Sequence, residues 1–375
     1  MYHILTHPPT CNYGGILQAV ALQETVQSAG VSCKVLEYEA NDRLTWRCNR
    51  SMGVRVKDLI SFMGSRMGIF RKRIPDAYVH LFFSPFKRKF MHLQHLNGNR
   101  AQLSELVNDT SFIVGSDQVW RGEYARLIES LPFFFLNFAT QKQRQRSIAY
   151  AASFGSDEWE GTPEETAECA RLLRDFKVVS VREHSGIRIC RDVFGVKAVQ
   201  MPDPTLLLEQ EDYNRLIRRW RTKSTKTPFM AVYLLDKTAE KTELVQALSQ
   251  CTGLYPQHLM PHPGAEKLMD RLPLSIPQWL RFIRDSESVL TDSFHGCVFS
   301  IIFNKPFVCL GNANRGSARF DSLLGTFGLQ DRLVTNPSPG KIQKLINTPI
   351  DWERVNTIRH HEQQRAFDFL HANLK

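Results

Sequence analysis

The sequence predicts an α/β protein with two Rossmann-like domains facing a cleft, and three observations carry that expectation. Short apolar runs alternate with segments of helical apolar spacing along most of the 375 residues. A polar stretch, Lys223-Ser224-Thr225-Lys226-Thr227-Pro228, separates two such series and reads as a linker. The second series holds a complete strand–helix–strand unit between Val289 and Gly311. The expected domains are residues 1–222, with a basic insertion at 43–108, and residues 223–350. A final helix at 351–375 is expected to pack back on the first domain.

Taken in order, Tyr2 to Thr6 suits a strand, and a loop carrying Pro8-Pro9 and Gly14-Gly15 follows. Ile16, Leu17, Val20, Ala21, Leu22 and Val26 recur at helical spacing until Gly30 ends the helix. Val31 to Tyr38 is a second strand. The loop between them is not GxGxxG and lacks a P-loop lysine, so dinucleotide or ATP binding by those routes is not expected. Ser111 to Val114 is a strand running into the polar Gly115-Ser116-Asp117-Gln118. The aromatic run Leu131 to Phe138 reads as a buried strand, and Ser147 to Ala152 as another. Thr162 to Phe176 is a helix, with Pro163 in its first turn and Glu164-Glu165 complementing its dipole. A strand at Lys177 to Val181 leads into a helix opened by Arg182-Glu183-His184-Ser185. Asp203, between two prolines, reads as a structural residue closing the first domain.

In the second series, Phe229 to Leu235 is a strand, and Ala239 to Gln250 and Pro277 to Arg284 are helices. The unit at Val289 concentrates the functional signal. A short apolar strand turns through Asp292 and Ser293, both good helix caps, into a helix that stops near Asn304-Lys305-Pro306. His295 therefore falls in the first turn of a helix beyond the carboxyl end of a parallel strand. Ligands of open α/β sheets sit there, and the orphan N–H groups of a helix start favour anions. His295 is accordingly the first candidate for a catalytic residue beside a bound anionic group.

Composition is ordinary for a globular chain, with 42% hydrophobic and 23% charged residues. No apolar run is long enough to cross a bilayer, and the start lacks the features of a secretory signal. A cytoplasmic location is the expectation. The cysteines contain no CxxC pair and read as reduced thiols. His92/His95 and His258/His262 lack acidic or thiol partners nearby, so no metal is expected. The net charge of +10 is concentrated between Arg43 and Arg100, where Phe62, Phe70, Phe82, Phe83, Phe86 and Phe90 are interleaved. That segment reads either as a solvated helical insertion with an apolar inner face or as a surface docking on anionic lipid at the inner face of the cell membrane. No nucleic-acid motif accompanies it, and nucleic acid is not an expected partner.

Several motifs occur in order: Asn12-Tyr13-Gly14-Gly15-Ile16-Leu17-Gln18-Ala19, Val114-Gly115-Ser116-Asp117-Gln118-Val119-Trp120, Ser180-Val181-Arg182-Glu183, Met201-Pro202-Asp203-Pro204-Thr205 and Thr291-Asp292-Ser293-Phe294-His295-Gly296. This set resembles the polysaccharide pyruvyl transferase family, in the subgroup with an NYGGxLQA start and a TDSFHG motif. The resemblance implies a GT-B-like fold and transfer of a pyruvyl group from phosphoenolpyruvate to hydroxyls of a hexose, as a ketal. It implies acceptors in exopolysaccharide or other surface polymers, including lipid-linked oligosaccharides, and no cofactor beyond the donor substrate. Better-characterised members carry Arg-Leu-His where this chain has Ser293-Phe294-His295. The missing cation is then expected from Arg315 or Arg319, in the loop after the next strand.

The chemistry bears on the remaining candidates. Phosphoenolpyruvate carries a carboxylate and a phosphate, so its site needs fixed cations or helix N-termini. Arg182 matches the family's donor-binding arginine; pairing with Glu183 or capping a helix is the alternative. Ketal formation needs a group that donates and then accepts a proton, which suits His295. Asp117 either orients or deprotonates an acceptor hydroxyl or caps a helix. Asn12, Gly14 and Gly15 line the cleft or simply form a turn. Two other readings stay open: a GT-B glycosyltransferase using a nucleotide sugar, with Asp321 its one loose ribose-binding candidate, and a non-catalytic carbohydrate-binding derivative.

Overall fold

A computed structural model describes residues 1–9, 12–38, 76–96, 110–225, 227–236, 238–261, 272–311 and 317–374. Most of the basic insertion expected at 43–108, and Arg315, lie outside the described residues. The first series opens with β1 (Tyr2–Leu5), α1 (Tyr13–Ser28), β2 (Cys33–Tyr38), α2 (Asp76–Phe90) and β3 (Leu93–Leu96). It continues with β4 (Ser111–Val114), α3 (Gly122–Ile128), α4 (Gln141–Arg144), β5 (Ile148–Ala152) and α5 (Pro163–Leu173). Then come β6 (Val178–Val181), α6 (His184–Asp192), β7 (Val199–Gln200) and α7 (Gln210–Arg218). The second series holds β8 (Phe229–Tyr233), α8 (Ala239–Thr252), β9 (Tyr255–His258), α9 (Ile276–Asp285), β10 (Ser288–Thr291) and α10 (Phe294–Ile302). It ends with β11 (Phe307–Leu310), α11 (Ala318–Phe327), β12 (Leu333–Val334), α12 (Pro339–Asn347) and α13 (Trp352–Asn373).

The strands form two parallel sheets, in the orders β3-β2-β1-β4-β5-β6-β7 and β12-β11-β10-β8-β9. Each order reverses once, between β1 and β4 and between β8 and β10, and those crevices are where doubly wound sheets place ligands. The fold is therefore α/β with two Rossmann-like sheets, the GT-B-like arrangement. No described helix is long and apolar enough to cross a membrane.

Local chemistry explains most boundaries. Thr162, Thr238, Ser275, Ser338 and Asp351 each accept a hydrogen bond from the first turn of the helix they precede, which satisfies one orphan N–H. Gly253 and Gly328 close α8 and α11 in the left-handed region. Two expectations are corrected. Leu131 to Phe138 is buried but is not a strand: Pro132 starts a short 3₁₀ turn over Pro132–Phe135, and Leu136 stops it with a φ of 62°. Helix α1 begins at Tyr13 rather than Ile16, so Gly14 and Gly15 occupy its first turn.

The two sheets share one continuous apolar cluster that runs from Ile4 and Ile16 through Trp279 to Phe299 and Phe327. Tyr13 is its bolt: the ring stacks on Trp279 at 5.2 Å and its hydroxyl donates to the Leu274 carbonyl at 3.0 Å. Helix α13 lies against the first series, where Gln363 donates to the Leu206 carbonyl and Arg359 to Glu209. The described part of the basic segment behaves as an amphipathic insertion, with Phe83, Phe86 and Phe90 buried. Lys87, expected at a lipid-facing surface, is instead buried and bonded to Glu37 at 2.5 Å.

Candidate functional site

Carboxyl ends of parallel strands deliver the polar residues to one place. In the first sheet His7 follows β1, Asp117 follows β4, Arg182 follows β6 and Asp203 follows β7. The second sheet supplies His295, in the first turn of α10. All of these meet at the start of α1. That start bears no side-chain cap and no acidic residue in its first turn, and the start of α10 is the same. Both helix ends therefore present orphan N–H groups and positive dipole ends.

The glycines show how closely the two domains approach. A Cβ on Gly14 would lie 2.0 Å from His295 Nδ1, so the imidazole packs directly on the α1 backbone. A Cβ on Gly15 would lie 3.3 Å from both Asp117 Oδ2 and Asn12 Nδ2. Asn12 is exposed at the N-cap position without capping the helix. His295 is set from its own side as well: Gly296 packs on Thr291, whose hydroxyl donates to the Tyr233 carbonyl at 2.8 Å.

Arg182 is 3% exposed, and its Nη1 bonds Asp203 Oδ2 at 2.8 Å while Nε and Nη2 have no hydrogen-bond partner among the described residues. Arg182 is therefore not at the surface, and the pairing with Glu183 is present, with Nε 3.7 Å from Glu183 Oε1. Asp203 fixes the local turn, as expected of a structural residue, and also faces His295. Its Oδ1 accepts from Thr205, fixing the turn, while Oδ2 sits 3.7 Å from His295 Nε2. Phe294 lies between two cations, with the Arg182 and Arg319 guanidinium carbons 4.5 and 5.9 Å from its ring centre. Arg319 thus stands beside Phe294, the residue after Ser293, and Arg315 lies outside the described residues. Ser293 has no capping bond from its side chain, and its own N–H is taken by Thr291 Oγ1 at 3.0 Å. Arg182, Asp203, Phe294, Arg319 and Glu362 line a small cavity of about 20 Å³, room for about one water.

Electrostatics follow from burial and this mutual proximity. Burial holds the His295 imidazole below its ordinary value, with Asp203 opposing and Arg182 reinforcing. Burial likewise lowers His7, against the pull of Asp117. For Asp117 burial acts upward, but His7, Arg182 and His295 outweigh it and the carboxyl is lowered. Near neutral pH both imidazoles are uncharged, so Arg182 is then the cation acting on Asp117. Burial and the neighbouring Arg182 bring Arg319 down to about 10. Burial works to lower Arg182, but Asp203, Glu183 and Asp117 hold it raised.

Two contributors escaped the sequence reading. His7 stands 3.8 Å from Asp117 through Nδ1 and Oδ2. Gln18, in the fourth residue pair of the NYGGxLQA start, donates to Thr6 Oγ1 and the Gly15 carbonyl and accepts from Ser116 N and Oγ. The available signal was position: His7 directly follows the first strand, but only the strand order reveals that β4 lies beside β1. Asp117 is not a helix cap, since its Oδ1 accepts from Gln118 N within a loop. Asp321, the candidate for a nucleotide-sugar ribose, is exposed on α11.

Comparison with curated proteins gives no match. Among solved structures, an O-GlcNAc transferase mutant from Thermobaculum terrenum shares 13% identity at a TM-score of 0.41, covering 98% of this chain and 63% of that one. This chain thus spans less than two thirds of that protein. The glycotransferase of kitacinnamycin shares 12% identity at 0.45, covering 100% and 99%. ADP-heptose lps heptosyltransferase II of E. coli shares 11% at 0.35, covering 96% and 98%. Such low scores carry no weight for activity. The family comparison does: the polysaccharide pyruvyl transferase model matches residues 12–314. That span takes in Asn12, Asp117, Arg182, Asp203 and His295, the residues that converge between the sheets, and the chain belongs to the polysaccharide pyruvyl transferase family.

Proposed function

We propose that the protein transfers a pyruvyl group from phosphoenolpyruvate to hydroxyls of a hexose in a surface polysaccharide or exopolysaccharide, forming a ketal. The observation that carries this reading is the setting of His295. Its Nε2 is buried without a hydrogen-bond partner among the described residues, beside Asp203, near two guanidinium groups and at two helix starts without side-chain caps. A dianionic or trianionic donor fits such a place, because its charges replace missing partners. Arg182 and Arg319 hold the donor's carboxylate and phosphate, and Arg319 supplies the charge that Ser293 lacks. Burial favours the neutral imidazole of His295, and a bound donor's negative charge raises its proton affinity. His295 then protonates the vinyl carbon, C2 accepts the sugar oxygen, and phosphate leaves. Asp203 stabilises the imidazolium. Asp117 faces the acceptor side of α1.

The test is incubation with phosphoenolpyruvate and a synthetic or lipid-linked oligosaccharide, following phosphate release and a mass gain on the sugar. Release that is unchanged in His295→Ala removes His295 from the acid/base role. Binding of a nucleotide sugar but not phosphoenolpyruvate replaces the reading with glycosyl transfer. The enzyme is proposed to work in the cytoplasm, at the inner face of the membrane. Exposed Arg88 and Lys89, with Arg71, Lys72 and Arg73, are the cations for anionic lipid. Vesicle binding that is insensitive to salt and to neutralising those residues argues against that location.

A further inference from the structure

His7 lies outside the family match at residues 12–314. It occupies the crevice between β1 and β4, the switch point of the first sheet. Its Nδ1 faces Asp117 Oδ2 at 3.8 Å, and Nε2 is buried with no hydrogen-bond partner among the described residues. Asp117 is prepared to hold it. One carboxylate oxygen is occupied by the Gln118 N–H at 2.8 Å, while the other is turned to His7 and lies against Gly15. Phe134 and Tyr124 meet the imidazole edge-on at 5.5 and 6.5 Å and fix its plane. Gln18 aligns the pair from behind. Its amide bonds Thr6, the residue before His7, at 2.9 Å and Ser116, the residue before Asp117, at 2.8 Å. A buried ring nitrogen without a partner costs stability, and a ligand that bonds it recovers that cost.

We propose that His7, oriented by Asp117, is the second acid/base of the reaction and takes the proton of the attacking acceptor hydroxyl. This rests on the pyruvyl-transfer reading. A carboxylate facing Nδ1 and an Nε2 without a partner among the described residues is the arrangement that makes a neutral histidine a base, and an approach of 3.8 Å is of the kind that tightens to a hydrogen bond when substrate is bound. His295 and Asp117 pack over consecutive glycines of α1, so the two histidines approach its N–H end from different walls. The balance closes without a further reactant. His295 gives its proton to C3 of phosphoenolpyruvate, turning methylene into methyl, as the first sugar oxygen bonds C2 and loses its proton to His7. The C2–O bond to phosphate breaks, and His7 returns that proton to the departing phosphate. The second hydroxyl closes the ketal on C2, and its proton restores His295. The charged and titratable groups facing His7 are Asp117 and Arg182, with Tyr124 beside the ring.

The experiment compares the full chain with His7→Gln and Asp117→Asn by titration calorimetry with phosphoenolpyruvate, steady-state phosphate release over a pH series, and thermal melts. For His7→Gln we expect donor affinity within about threefold of the unmodified chain and kcat lower by about 100-fold or more, with the acidic limb of the pH profile gone. Asp117→Asn should shift that limb and keep donor binding, which serves as the readout should the glutamine variant melt early. A kcat within about threefold of the unmodified chain, or an acidic limb unaltered in both variants, overturns the proposal. Failure of the unmodified chain to bind phosphoenolpyruvate overturns the donor assignment instead, a result that the binding arm tells apart.

Discussion

At the switch point of the first sheet, His7 and Asp117 face each other at 3.8 Å, and His7 Nε2 has no hydrogen-bond partner among the described residues. At the switch point of the second, Asp292 accepts from Leu235 N at 2.7 Å, Asp236 N at 3.2 Å and Lys241 Nζ at 2.6 Å. Both crevices lie between strands of the same kind of parallel sheet. The second is closed by a carboxylate whose hydrogen bonds are met within its own domain. The first keeps unmet hydrogen-bonding capacity, and so do Arg182 and His295 beside it. Helix starts differ too. Thr162, Thr238, Ser275, Ser338 and Asp351 cap the helices they precede, whereas α1 and α10 have no side-chain cap, as α3, α6 and α11 have none. Asp292 is thus saturated within its own domain, whereas His7, Arg182 and His295 carry unmatched atoms among the described residues, as do His3, Trp279 and Arg332 outside the site.

The sharpest way to break this contrast is His295→Ala. We expect kcat to fall by about 10²- to 10⁴-fold while the melting temperature holds, measured by phosphate release and calorimetry. Asp292→Ala should do the reverse. It strands two N–H groups and Lys241, and is expected to cost about 3 kcal/mol in urea unfolding without weakening donor binding. Loss of donor binding there would erase the distinction between the two crevices.

Acid sensitivity is next in size. Burial, then Lys34 and the N-terminus, bring His3 from 6.5 to about 4, and burial also lowers His7 and His295. Their folded values lie below the unfolded one, so the unfolded chain binds more protons in that window. Stability is therefore present above about 6.5 and is lost as pH falls toward about 4. His3 alone should remove about 2 kcal/mol between about pH 7 and about pH 5, read by urea unfolding at both values. His3→Leu should flatten that slope.

The smallest effect compares two caps. Thr238→Ala should cost about 1 kcal/mol, since its side chain accepts from Lys241 N. Ser293→Ala, with no such bond to lose, should cost less than about 0.5 kcal/mol in the same unfolding assay.

Much of this was legible because it is local. Apolar spacing and capping residues marked most strands and helices, and the histidine at the start of α10 stood out from its motif alone. The aromatic run at Leu131 to Phe138 misled because strand propensity measures burial as much as backbone, and Pro132 with Leu136 decided the backbone. Ser293 misled because it occupies a cap position without performing the cap.

By itself the sequence determined the two α/β series, the polar linker, the ordered motifs and His295 as first candidate, all consequences of short-range periodicity and turn chemistry. Tertiary structure alone decided that Gly14 carries the His295 ring, that Asp203 joins Arg182 to His295, that Arg319 stands beside Phe294, and that His7 meets Asp117. These pairs are far apart in the chain. They meet because parallel strands deliver their carboxyl ends to one edge, and which ends become neighbours is fixed by strand order and by the packing of one sheet against the other.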